Sequence, residues 1–139
     1  MRTMEDYVVT APAIAPAVTS GALTGIAVDA TGYTRARFTF HFGANTSTAA
    51  LAAGAGVWNA STSGATYTSM STAVLAAVSS GVLGSTIMVV DTAVTAAKPW
   101  LKISAATITL ATVGVSATCT LYNGLIRPPT QSEQQIVVV

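Results

Sequence analysis

The sequence predicts an all-β fold, an antiparallel sandwich or barrel. Three observations carry this. Short β-branched or alternating segments recur at roughly 8–12-residue spacing, divided by Gly, Ser and Asp turns. Segment 35–42 alternates strictly: Ala36, Phe38, Phe40 and Phe42 share one face, and Arg35, Arg37, Thr39 and His41 share the other. A two-residue period belongs to a half-buried strand and not to a helix. Finally, the stretches of helix-forming composition, 49–53 and 73–78, are short and closed by Gly54 and Gly81. Helices under about 12 residues need tertiary support.

The elements follow in order. Residues 1–20 read as an extended arm, because Pro12 and Pro16 fix their own φ and restrict their predecessors. A strand at Gly25, Ile26, Ala27 and Val28 ends in the turn Asp29-Ala30-Thr31-Gly32, where Asp can bond the backbone ahead and Gly can take positive φ. Strand 35–42 holds all three Phe residues of the chain on one face, so it is expected at the centre of the core. Strands are expected near Gly56-Val57-Trp58 and Thr66-Tyr67-Thr68, and one or two helical turns within 73–78.

Segment 85–90 is β-branched and continuous, the pattern of a strand buried on both faces, and Asp91 is expected at its end. Segment 99–103 alternates, with Lys102 on the Trp100 side. Two further strands are expected at 107–110 and 117–126, the last stopped by Pro128 and Pro129. In that last strand Cys119 alternates with Ala117 and Leu121, as a small buried residue would. The tail, 130–139, is polar up to Gln135 and ends in Ile136, Val137, Val138 and Val139. Such a β-prone apolar tetrad is an aggregation hazard alone in water, so it is expected to pair. The division is therefore an arm (1–20), a sandwich domain (21–129) and a tail (130–139). No fixed-period repeat argues for a solenoid or propeller.

Composition narrows the function. Charged residues are 8% of the chain and hydrophobic ones 51%, against about 25% charged in an ordinary soluble domain. Between Phe38 and Val90 there is no Lys, Arg, Asp or Glu. A monomer with such a surface lacks the usual protection against self-adhesion. Much of the surface is therefore expected to be covered by other protein. A net charge of +1 argues against nucleic acid, whose footprint is a basic patch. It argues equally against an anionic membrane surface. The apolar runs are broken well short of the roughly 20 residues that span a bilayer as a helix. Glu5 and Asp6 ahead of the apolar stretch, and the prolines within it, do not fit a secretory signal.

Chemistry has little to work with. A catalytic site gathers titratable groups, and the supply is five carboxylates and one His. Glu5 and Asp6 lie in the arm and Glu133 in the tail; Asp29 and Asp91 read as turn or strand-end residues. His41 reads as an exposed or interfacial imidazole. One His and one Cys do not make a zinc site, and no phosphate loop or dinucleotide fingerprint is present. No catalytic residue, metal or cofactor is expected. Arg35 and Arg37 share a strand face, and Arg127 follows the last strand. Arginine suits planar contacts to carboxylates at interfaces. These three, with the tail residues Ile136, Val137, Val138 and Val139, are the candidate interface residues. The other reading of the arginines is a solvated strand face.

Several segments together carry a resemblance: 26–38 (IAVDATGYTRARF), then Pro99-Trp100-Leu101-Lys102-Ile103, then Leu125-Ile126-Arg127-Pro128-Pro129. They resemble a family of small tailed-bacteriophage virion proteins, the jelly-roll-like β-sandwich decoration or cement proteins that bind the outside of the capsid, usually as trimers. The resembling pattern is a strand, an Asp-x-x-Gly-aromatic turn and a strand, then a late strand bearing an aromatic, then a last strand running into a basic-Pro tail. It covers about half of the chain. The resemblance implies a structural protein on the virion exterior, made in the host cytoplasm. The implied partner is the major capsid protein, and the implied state a homo-oligomer, a trimer first. The alternative is a carbohydrate- or receptor-binding sandwich on a virion fibre or cell surface. Against it, Trp58, Trp100 and the four tyrosines are scattered along the chain.

Overall fold

The computed structural model describes residues 8–44, 49–51, 56–74, 77–78, 83, 85–104 and 107–124. Among them the chain forms β1 (Val9–Ala22), β2 (Val28–Asp29), β3 (Tyr33–Phe42), β4 (Ala50–Leu51), β5 (Gly56–Ala60), β6 (Thr68–Val74), β7 (Ile87–Ala93), β8 (Trp100–Ser104) and β9 (Thr107–Gly124). No described residue is helical. One sheet has the order β1-β9-β3-β7, with β4 beside β9; the other has the order β2-β8-β5-β6. Every pairing is antiparallel. The chain is an all-β antiparallel sandwich. With the two-residue β4 set aside, the interleaved strand order is that of a jelly roll.

The core forms where the inward faces meet. Phe38 and Phe40 are fully buried and Phe42 nearly so, as their alternation requires. Phe40 and Phe42 lie parallel, ring centroids 6.4 Å apart. Val57, Leu101 and Ile103 of the second sheet, and Val113, Val115, Ala117, Cys119 and Leu121 of β9, complete the same buried cluster. The turn between β2 and β3 forms as expected. Asp29 Oδ1 accepts from the Thr31 amide at 3.0 Å and from the Thr31 hydroxyl at 2.6 Å, and Gly32 takes φ +86°. This turn carries the chain from one sheet to the other.

The structure departs from the sequence expectations in five places. The arm is extended, as its prolines require, but from Val9 onward it is not free. It is the edge strand β1, paired along β9 from Val9↔Leu121 to Ala22↔Thr107, with Ala13 and Ile14 buried. Proline is tolerated at a sheet edge, and register shifts fall beside both Pro12 and Pro16. The strand expected at Gly25 to Val28 is reduced to β2, Val28–Asp29. Gly25 instead lies against β8, where a Cβ would stand 2.3 Å from the Ile103 carbonyl oxygen.

Within 73–78 the described residues are extended: Ala73 and Val74 close β6, and Val78 exchanges backbone hydrogen bonds with Leu51 at 3.0 and 3.1 Å. Burial of Ala73 against the core outweighs the helix preference of alanine. The continuous apolar run becomes β7, which is not buried on both faces. It is an edge strand, with Ile87 63% and Val89 55% exposed, and Asp91 lies inside it rather than at its end. Finally, the two strands expected at 107–110 and 117–126 are one, β9, whose inward alternation continues through Val113 and Val115. Arg127 and the tail, 130–139, lie outside the described residues.

Two substitutions test this packing. Phe40→Ala should cost about 3–5 kcal/mol, the usual loss for a buried Phe, read as a fall in denaturant midpoint. Gly25→Ala should cost about 1–3 kcal/mol, because its methyl group meets backbone that cannot rotate aside. Unchanged midpoints would mean that the inward face of β3, or the approach of Gly25 to β8, is misassigned.

Candidate functional site

The outer face of the first sheet is set by β3. Arg35, Arg37, Thr39 and His41 project there, since Ala36, Phe38, Phe40 and Phe42 project inward. The neighbours contribute in register. β7 places Asp91 opposite Arg37 and Val89 opposite Thr39. On the other side β9 places Tyr122 opposite Arg35, Thr120 opposite Arg37, Thr118 opposite Thr39 and Ser116 opposite His41. The face is therefore rich in hydroxyls, with its charges gathered at one end.

Those charges form a single cluster around Asp91. The Arg35 guanidinium donates to Asp91 Oδ1. Arg37 donates to Oδ2 through Nε and pairs with it through Nη2, both at 3.1 Å. The Tyr122 hydroxyl also donates to Oδ2. Arg37 lies over the Tyr122 ring, 5.7 Å from its centroid, within cation–π range. The side chain of Asp91 is 23% exposed, that of Arg35 41% and that of Arg37 53%. Partial burial alone would raise the Asp91 carboxyl, but hydrogen bonds from Tyr122, Arg35 and Arg37 outweigh it and hold the group below its ordinary value. For Arg35 the effect of Tyr122 comes first and that of Asp91 second, and both raise it.

The two arginines singled out from the sequence are thus brought together, and a carboxylate of their own chain lies between them. Asp91 and Tyr122 were not visible as members. In the sequence Asp91 reads as a turn or strand-end residue, and nothing near Tyr122 marks it. The signal that finds them is register: both lie in strands adjacent to β3, on the outward parity. His41 is exposed at the far end of the face, beside an open groove lined by Pro16, Val18, Phe42 and Gly114.

The outer face of the second sheet carries a different set. Trp58 pairs with Lys102, and Trp100 with Ala60 on one side and Asp29 on the other. Both tryptophans and Lys102 therefore share one face. Lys102 Nζ stands 5.7 Å from the centroid of the Tyr67 ring. Lys98 Nζ donates to the Thr68 hydroxyl at 2.9 Å. The indole nitrogen of Trp58 is buried with no partner among the described residues.

Cys119 is fully buried, and burial pushes its thiol up to about 12. It is an inert core residue, as its alternation implied. Among the described residues there is no group of three or more His, Cys, Asp or Glu that could hold a metal ion. No described helix is long and apolar enough to cross a membrane. Compared with known proteins, the chain matches no family model, no curated protein and no solved structure.

The cluster makes an acid-stability prediction. The folded Asp91 carboxyl titrates below its ordinary value. Its contribution is therefore complete above the unfolded value and is lost as pH falls through the lower, folded value. Asp91→Asn should cost about 1 kcal/mol at neutral pH, the scale of an exposed ion-pair network. The variant and parent should converge in stability as pH falls below the ordinary carboxylate range and through the lower, folded value. Thermal melts from neutral pH to strong acid check this, and a constant gap across the range would remove Asp91 as the titrating group.

Proposed function

We propose that this chain is a structural virion protein, a decoration or cement subunit. It binds the outer surface of a bacteriophage capsid as a homo-oligomer and holds neighbouring subunits of the major capsid protein together. The observation that carries the reading is a charge-poor flank. β5, β6 and β7 fall within or beside the stretch without Lys, Arg, Asp or Glu. Together these three strands contribute Asp91 as their one ionisable group, and that carboxylate is already paired; the lysines that reach β5 and β6, Lys102 and Lys98, come from β8 and the turn before it. A flank of this kind is soluble when other protein covers it.

Support of a second kind comes from the Arg35–Arg37–Asp91–Tyr122 cluster and the row of hydroxyls beside it. Both offer polar contacts fixed in place before binding, so little side-chain entropy is lost on association. The jelly-roll order agrees with the resemblance but carries no function by itself. On this reading the work done is association energy, which multiplies when one oligomer engages several sites. Made in the host cytoplasm, the protein ends on the capsid exterior.

A carbohydrate-binding role is the second reading, and one observation favours it. Trp58 and Trp100, far apart in sequence, share a face with Lys102, beside Tyr67. Aromatic and polar side chains side by side are what a sugar ring requires.

Cosedimentation with capsids stripped of this protein separates the two. The parent chain should bind and raise the temperature at which the particles open. Arg37→Glu, which turns the exposed arginine of the cluster into an acid, should weaken binding at least about tenfold, as reversal of an interfacial charge does. Saturable quenching of tryptophan fluorescence by oligosaccharides, with no capsid binding, would replace the decoration role with the second reading.

A further inference from the structure

The four described sheet edges are not alike. An unpaired edge invites another strand, and proteins blunt such edges with proline, bulges, charge or shortness. β1 carries Pro12 and Pro16 and three register shifts. β2 is two residues long. β6 steps from Gly56↔Val74 to Trp58↔Ser69 against β5, so a bulge interrupts it. β7 has no proline, no bulge and seven residues, and its one charge, Asp91, is paired within its own copy. It matches β3 residue for residue from Arg35↔Ala93 to His41↔Ile87, contains no proline or lysine, and exposes Ile87 and Val89.

The hydrogen bonds of β7 show what its free edge offers. The amide of Phe42 donates to the Thr86 carbonyl at 3.0 Å, and the amide of Val94 to the Thr34 carbonyl at 2.9 Å. Main-chain groups alternate in direction along an antiparallel strand. The even-numbered residues therefore bond β3, and Ile87, Val89, Asp91 and Ala93 aim their N–H and C=O groups away from it. Nothing among the described residues pairs with that side.

We propose that a second copy of this chain docks there, β7 against β7, antiparallel across a two-fold axis that passes Met88. In this register Ile87 meets Val89 of the second copy and Val89 meets its Ile87. Outward-directed groups meet outward-directed groups, giving about four main-chain hydrogen bonds. The four exposed apolar side chains become one patch on the continuous sheet. Charge permits the self-pairing. The segment from Ile87 to Val90 is uncharged, and the nearest ionised group, Asp91, is neutralised by Arg35 and Arg37 of its own copy. Centring the axis one residue later would set Ile87 against Asp91 and lose the apolar match. Because the axis is two-fold, the contact builds a dimer and not the trimer that the family resemblance implies.

Sedimentation velocity on the isolated full chain tests this, whether or not the chain binds capsids. The parent should show a concentration-dependent dimer. Val89→Lys places a charge on an exposed edge position without touching the core and should weaken the dimer at least about tenfold. Val89→Pro, which deletes an outward N–H, should do the same. Ala15→Lys on the blunted β1 edge should leave the dimer intact. At the axis the Met88 residues of the two copies, half-buried on the inward face, form a non-hydrogen-bonded pair with Cα atoms about 4.5 Å apart, within disulfide range. Met88→Cys should therefore form an interchain disulfide there, with Cys119 buried and out of reach. A parent that is monomeric or trimeric overturns the proposal. So does a dimer that survives Val89→Lys or fails equally with Ala15→Lys. A dimer that resists the Met88→Cys cross-link overturns the register.

Discussion

β3 has to satisfy four directions at once, and the rest of the molecule is arranged around that demand. It lies between β9 and β7. Its even residues send their main-chain groups to β7 and their side chains into the core. Its odd residues send main-chain groups to β9 and side chains to the outer face. A slip of one residue would expose three phenylalanines and bury two arginines and a histidine. The hydrophobic term therefore fixes the register on its own. The ion cluster selects the same register independently, since Asp91 and Tyr122 reach Arg35 and Arg37 only when they are opposite on the outward parity. Two unrelated forces agree on one alignment, and such agreement is what gives a sequence a single fold.

That agreement explains which parts of the fold were legible. The β3 alternation and the Asp29 turn are local, and both appear as expected. β5 and β8 also fall close to their expected places. What failed was non-local. The prolines of β1 look like an unpaired arm until β9 is known to be long enough to receive them. Asp91 looks like a terminator because aspartate is depleted in strands. It is tolerated inside β7 because two arginines in the adjoining strand neutralise it, and no window around Asp91 contains them. The run 85–90 looks buried on both faces because hydrophobicity alone cannot tell a central strand from an edge strand that is to be covered.

The candidate site was half legible for the same reason. Arg35 and Arg37 were found from their spacing, because both lie on one strand. Their partners lie on two others, and only the sheet order unites them. The aromatic face of the second sheet shows the principle most clearly. Trp58 and Trp100 look scattered, yet Trp58 is paired with Lys102 and Trp100 with Ala60 on the same two adjacent strands. Separation along the chain says little about proximity in a fold whose contacts are mostly between distant strands.

The chemistry of the Asp91 cluster indicates the kind of work this face can do. Oδ1 accepts from Arg35, and Oδ2 accepts from Arg37 and Tyr122, so both carboxylate oxygens are already engaged. A carboxylate held below its ordinary pKa is a poor base at neutral pH, where a general base works best with a pKa near the working pH. The cluster is thus unsuited to moving protons and well suited to holding position. Two cations around one anion leave a net positive charge with fixed geometry on a face of hydroxyls. The same pairing compensates the one carboxylate that would otherwise guard the neighbouring edge of β7. A single aspartate in the sheet therefore does two things: it shapes a polar surface on β3, and it leaves the edge beside it without an uncompensated carboxylate and open to another strand.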